Sequence, residues 1–148
     1  MRFNLFLNGT LQEAELLTSF IHPDDVNIAV DGGARHCKAM DITPSTVIGD
    51  FDSLSEEEMV RLMEAGVEII TYPKDKDETD LELALELALE RGAEEIVIYA
   101  GLGKRYDMTF ANLLVLVQPK YRKLTIHFQE AGQVIFCIHD QAIIPGSV

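Results

Sequence analysis

The sequence has 148 residues, the length of one domain, and its 47% hydrophobic content is enough to build a core. Its formal net charge of −13, from 25 Asp and Glu against 12 Lys and Arg, excludes a general nucleic-acid surface and an anionic membrane surface, since both recruit basic patches. The same acidity is compatible with a site for divalent cations.

Taken in chain order, the first apolar run, Arg2 to Leu7, reads as a strand that Asn8-Gly9 ends. It is too short for a signal-peptide core or a membrane span, which leaves a cytoplasmic location as the default. Further β-rich runs follow at Val26 to Val30, Thr46 to Ile48, Val67 to Tyr72, Glu95 to Ala100 and Leu124 to Phe128, with helix-like segments between the first five. Ser55-x-x-Glu58 is a capping box that opens a helix running to Ala65, with Gly66 placed to end it. Thr79-x-x-Glu82 opens a second helix, which ends at Arg91-Gly92. Its segment Leu81 to Leu89 alternates Leu with Glu or Ala as a strand could, but the capping box, the spacing of Glu82, Glu86 and Glu90, and the lack of β-branched residues decide for helix. A helix is expected from about Thr109 to Val117, stopped by Gln118-Pro119.

The expected fold class is therefore α/β: a Rossmann-like three-layer fold with a mostly parallel sheet of about six strands flanked by helices. After Phe128, Gln129-Glu130-Ala131-Gly132 reads as a turn into a last strand, Val134 to Ile138, with no helix between. Residues 1–128 form the expected α/β domain, and residues 129–148 read as the start of a further β segment, with Ile143-Ile144-Pro145-Gly146-Ser147-Val148 as the entrance to more structure. Cys37 and Cys137 lie in apolar segments without ligand spacing and are expected to be buried thiols.

In an open parallel sheet, ligands bind at the carboxyl ends of the strands. Four successive strand ends here carry Asp together with Gly, Lys or Arg: Asp31-Gly32-Gly33, Gly49-Asp50-Phe51-Asp52-Ser53, Lys74-Asp75-Lys76-Asp77-Glu78-Thr79-Asp80, and Gly101-Leu102-Gly103-Lys104-Arg105-Tyr106-Asp107. Asp50 and Asp52 are two apart, so both carboxylates can face one ion; alone, the pair reads equally as an acidic turn or helix cap. Acids gathered at several strand ends would repel one another, and a bound cation resolves that repulsion. Gly32 and Gly33 permit a close backbone approach to a phosphate or base, or simply a tight turn. Arg105 offers a planar fork suited to phosphate oxygens, whereas Lys74 reads as a solubility lysine. Gly101-Leu102-Gly103 lacks the third glycine of a dinucleotide fingerprint, and no Walker pattern is present. His22, His36, His127 and His139 share no metal-ligand spacing.

These ordered motifs resemble those of the thiamine pyrophosphokinase catalytic domain over about Leu5 to Phe128. The markers are Asp31-Gly32-Gly33-Ala34, Gly49 to Ser53, Tyr72-Pro73 followed by Lys76-Asp77-x-Thr79-Asp80-Leu81-Glu82, and Gly101-x-Gly103-x-Arg105-x-Asp107 with Asn112 downstream. The resemblance implies transfer of a pyrophosphoryl group from ATP to thiamine with Mg²⁺, releasing AMP. It assigns Asp50, Asp52 and Asp80 to the metal, with Asp31 nearby and Asp31, Asp52, Asp80 and Arg105 as the catalytic set. Gly32, Gly33, Gly101 and Gly103 would lie along the nucleotide. Lys76, Lys104 and Arg105 would neutralise its phosphates, and Asp77, Thr79, Asp107 and Asn112 would orient nucleotide or loops. The resemblance also implies a homodimer and a C-terminal β-domain that this sequence largely lacks. Many bacterial members carry His where this chain has Met108, which leaves an apolar side chain near the site. Two other readings stand beside it: a pyrophosphokinase acting on another alcohol such as a hydroxymethylpterin, and a non-catalytic nucleotide-binding module.

Overall fold

A computed structural model describes residues 1–52 and 54–140 of the chain. The apolar runs form seven strands in one sheet: β1 (Arg2–Phe6), β2 (Val26–Val30), β3 (Thr46–Gly49), β4 (Glu68–Thr71), β5 (Glu95–Tyr99), β6 (Thr125–Gln129) and β7 (Val134–Phe136). Their order across the sheet is β4-β3-β2-β1-β5-β6-β7. The first six are parallel, and β7 adds to β6 as an antiparallel edge through pairs such as Phe128 with Ile135. One strand more than the expected six thus belongs to this sheet.

Helices cover both faces, as a parallel sheet buried on two sides requires. Against one face lie α4 (Asp80–Glu90), through Leu81, Ala84, Leu85 and Ala88, and α5 (Tyr106–Val115), through Val115. The other face is covered by α1 (Ala14–Thr18), α2 (Gly33–Ala39) and α3 (Glu56–Glu64), which contribute Leu17, Cys37 and the partly buried Leu62. Deleting one of these side chains, as in Leu85→Ala, removes transfer energy and leaves a cavity, a loss of about 2–5 kcal/mol.

Both expected capping boxes form. Ser55 Oγ accepts from the Glu58 N–H and the Glu58 carboxylate accepts from the Ser55 N–H; Thr79 and Glu82 repeat the pattern. Helix α5 begins at Tyr106, three residues before the expected Thr109, because Arg105 turns the chain into it without a side-chain cap. Cys37 is buried, and burial pushes its thiol pKa up; Cys137 is only half-buried, because it follows an edge strand whose Val134 and Phe136 are themselves exposed. Among the described residues no helix is long and apolar enough to cross a membrane.

Candidate nucleotide and metal site

The chain runs outward from β1 through β2 and β3 to β4, then returns to place β5 on the other side of β1. Past β1 the chain leads to α1 on one face, and past β5 it leads to α5 on the other, so the loops diverge and leave a crevice at the carboxyl ends of these strands. Its floor is tied beyond the strands themselves: Gly9 N–H donates to the Ala100 carbonyl at 2.7 Å and Thr10 N–H to the Leu102 carbonyl at 3.0 Å. A cavity of about 250 Å³ opens there, lined by Asn8, Gly9, Asp31, Thr79, Asp80, Gly101, Gly103, Lys104, Arg105, Met108 and Asn112 among others.

Asp31 is the hub of its acidic wall. It sits in the left-handed region at φ +49, and its Oδ1 accepts from the Asp50 N–H at 3.1 Å. Gly49 is required for this contact: its φ is +148, and a Cβ there would lie 1.8 Å from Asp31 Oδ1. Burial raises the Asp31 pKa to about 7, helped by hydrogen bonding to Asp80 and by the charges of Asp80 and Asp50. Burial also works against charge on Asp80, but Asp31 and Lys76 outweigh it and hold Asp80 below the usual carboxylate range. The pair thus favours one proton, carried on Asp31.

Two lysines two residues apart meet two of these acids. Lys76 Nζ lies 2.6 Å from Asp80 Oδ1, with only 12% of the lysine side chain exposed. Lys74, read from sequence as a solubility lysine, instead pairs with Asp52 Oδ2, both side chains being exposed. Asp50 Oδ1 accepts from the Asp52 N–H at 3.2 Å, so the acidic turn and the gathering of acids are the same structure. Ser53, the last residue of that motif, lies outside the described residues.

The glycine-rich end of β5 is held from α5. The buried Asn112 donates from Nδ2 to the Gly101 carbonyl at 2.6 Å, and Thr109 Oγ1 accepts from the Gly103 N–H at 3.1 Å. Ala100 and Lys104 adopt positive φ of 52 and 58, which places two non-glycine left-handed residues within one loop. Arg105 bonds through Nε to Asp107 Oδ1 at 3.1 Å and is exposed; the guanidinium holds the Asp107 carboxyl below its usual pKa. Beneath the loop, His36 Nε2 donates to the Gly9 carbonyl at 2.9 Å, and burial depresses its pKa.

The fold therefore brings Asp31, Thr79, Asp80, Gly101, Gly103, Lys104, Arg105 and Asn112 to one cavity, with Asp50 and Lys76 attached through Asp31 and Asp80. Asp52, Asp77 and Asp107 stand exposed outside its lining. A side chain at Gly33 would strike the Phe6 carbonyl at 1.8 Å and one at Gly32 the Asn8 amide at 2.3 Å, so what these glycines admit is the end of β1. Sequence reasoning missed Asn8 and Gly9, which line the cavity. Their signal was present as a strand terminator, but only the strand order shows that β1 lies beside β5.

The chemistry of the donor set suits Mg²⁺, which prefers hard carboxylate oxygens and completes its shell with waters and substrate phosphate. Asp80 Oδ1 is buried without a hydrogen-bond partner, since Lys76 approaches as a charge and not as an aligned donor. Among the described residues no three His, Cys, Asp or Glu side chains form a ready-made ligand group. A cation here would draw on few carboxylates, with Asp80 foremost.

The chain is similar to proteins of one family. The family model described as "Thiamin pyrophosphokinase, catalytic domain" matches residues 17–128. A thiamine pyrophosphokinase of Bacillus subtilis is 36% identical over 113 residues, which cover 76% of this chain and 53% of that protein. The crystal structure of thiamine pyrophosphokinase from Bacillus subtilis superposes with a TM-score of 0.75 at 28% identity, over 88% of this chain and 61% of that one. That of thiamin pyrophosphokinase from Geobacillus thermodenitrificans gives 0.73 at 29% identity, over 88% and 60%. The chain thus spans between 53% and 61% of the length of these relatives.

Proposed function

This chain belongs to the thiamin pyrophosphokinase catalytic-domain family, and from that membership we propose that it binds ATP with Mg²⁺ and transfers the pyrophosphoryl group to thiamine, giving thiamine diphosphate and AMP. Residues 1–128 are the ATP- and Mg²⁺-binding catalytic domain in this reading, and 129–148 lead toward a C-terminal β segment, with β7 still part of the catalytic sheet and residues 141–148 outside the described residues. The observation that carries it is the cavity at the β1–β5 crevice, where Asp31 and Asp80 share the lining with Lys104 and Arg105 while Lys76 pairs with Asp80.

In the reaction the thiamine hydroxyl oxygen bonds to the β-phosphorus of ATP and its O–H bond breaks, the proton passing to solvent, while the bond from that phosphorus to the α-phosphate's bridging oxygen breaks and AMP leaves with that oxygen. Bound Mg²⁺ supplies charge neutralisation on the phosphates and a template for their geometry. Asp80, Asp50 and Asp52 are the residues that would hold it. Lys76, Lys104 and Arg105 neutralise the charge that moves onto the departing α-phosphate, and a preformed array of this kind needs no reorganisation during transfer. Asn112 and Thr109 keep the Gly101–Arg105 loop in register with the nucleotide. Asp31, held near neutrality, is the carboxyl group able to exchange a proton at pH 7. The same reading carries the homodimer that the family resemblance implies, together with the cytoplasmic location taken as the default from the short first apolar run.

AMP formation measured in a coupled assay, with and without thiamine, tests this. Thiamine-dependent AMP is expected; Mg²⁺-dependent ATP binding with no AMP formed from thiamine would overturn the acceptor assignment and leave the nucleotide site standing.

A further inference from the structure

We propose that Lys74 is a displaceable counter-ion: it neutralises Asp52 in the empty site and transfers to a phosphate oxygen of the nucleotide when a divalent cation takes Asp52. The inference rests on the metal and nucleotide reading above and assigns a role to a residue outside the family's motif.

The two lysines of the β4–α4 loop each sit on an acid expected to face the cation, but in opposite settings. Lys76 is almost covered, with 12% of its side chain exposed, and its pairing with Asp80 prevails over burial so that its pKa is raised. Its ammonium also reaches the Pro73 carbonyl at 3.3 Å. Lys74 has 66% of its side chain exposed and Asp52 has 58%, and Asp52 is the only partner of Lys74 among the described residues. An exposed ion pair is weak, because water screens it and two flexible side chains must be held together. Lys76 is therefore fixed in place, and Lys74 is free to exchange partners at little cost.

Charge balance gives the direction of that exchange. A divalent cation neutralises Asp52 better than an ammonium does, and a polyphosphate brings more negative charge than the cation cancels. The released Lys74, which starts beside Asp52, then meets phosphate oxygens of the nucleotide that the cation carries. Lys74 accordingly competes with the cation before nucleotide binds and supports the nucleotide afterwards, so its removal must move the two affinities in opposite directions. A lysine serving solubility alone moves neither.

The test uses the whole chain as Lys74→Met, with Lys38→Met as a control that removes the same charge from α2. Free Mn²⁺ is measured by electron paramagnetic resonance without nucleotide, and Mn²⁺–ATP binding by calorimetry. Lys74→Met is expected to bind Mn²⁺ roughly two- to fivefold tighter and Mn²⁺–ATP roughly two- to fivefold weaker than the unaltered chain, the range an exposed ion pair allows. Lys38→Met is expected to change neither. Tighter Mn²⁺ binding without weaker nucleotide binding, or Lys74→Met matching the control, overturns the exchange while the nucleotide site stands. Absence of Mn²⁺–ATP binding in the unaltered chain overturns the functional reading and this inference together.

Discussion

At the amino-terminal ends of the strands, Glu68 Oε2 is held by Arg91 at 2.7 Å and accepts from Thr46 Oγ1 at 2.9 Å, while Arg2 lies 3.4 Å from Asp25 and the chain's own amino group pairs with Glu94. At the carboxyl ends, Asp31, Asp50, Asp52 and Asp80 gather around two lysines, and Asp31 receives neither. The two ends differ accordingly: hydrogen bonds from Arg91 and Thr46 pull Glu68 below its usual pKa, whereas burial and neighbouring acids push Asp31 up to about 7. One edge of the sheet has its charges matched within the protein. The other crowds four carboxylates around two paired lysines and leaves Asp31 without a cation of its own, and perturbed carboxylates of this kind cluster at functional sites.

Asp80→Asn attacks the contrast most strongly. It keeps the side-chain oxygen but removes the carboxylate charge that pairs with Lys76, and should weaken Mg²⁺-dependent ATP binding by about 100-fold with the fold retained, as read by calorimetry and circular dichroism. Gly49→Ala forces a methyl group onto Asp31 Oδ1 in a backbone conformation that alanine resists; a loss of about 2–3 kcal/mol in denaturant unfolding is expected. Arg91→Met breaks the matched edge instead and should cost about 1 kcal/mol while ATP affinity stays unchanged. Because the Glu68 pKa is depressed in the folded state, the stability at stake is present above pH 4.5 and fades as pH falls below it.

Asp31→Asn gives the smallest effect with the most telling sign. Burial raises the folded pKa of Asp31 from the ordinary carboxylate value of 3.8 to about 7, so its contribution to stability is intact below about pH 4 and is lost as pH rises through about 7. An amide keeps the acceptor for the Asp50 N–H without the charge. The variant should therefore be more stable than the parent at pH 8, by about 1 kcal/mol once solvent screening is allowed for, and equal to it at pH 4. Equal stability at both values would show that the acids at this edge do not strain one another.

The strands and the two boxed helices were legible in the sequence because their signals are local: β-branched runs, Ser55 with Glu58, and Thr79 with Glu82. The start of α5 was not, since Arg105 offers no side-chain cap to mark it. The acids at the strand ends were legible as a set, but their division of labour was not. That Asp31 stands at the centre follows from the close approach of Gly49, and that Asn8 and Gly9 join the cavity follows from β1 lying beside β5; both are facts of strand order and not of spacing. The pairing of Lys74 with Asp52 was not legible, because the two are far apart in sequence, separated by α3 and β4.

Calorimetric titration of the chain with ATP, with Mg²⁺ and then with a chelator in its place, tests the central claim most directly. The crowded carboxylates predict ATP binding with Mg²⁺ and loss of that binding with the chelator. Equal ATP affinity under both conditions would contradict it.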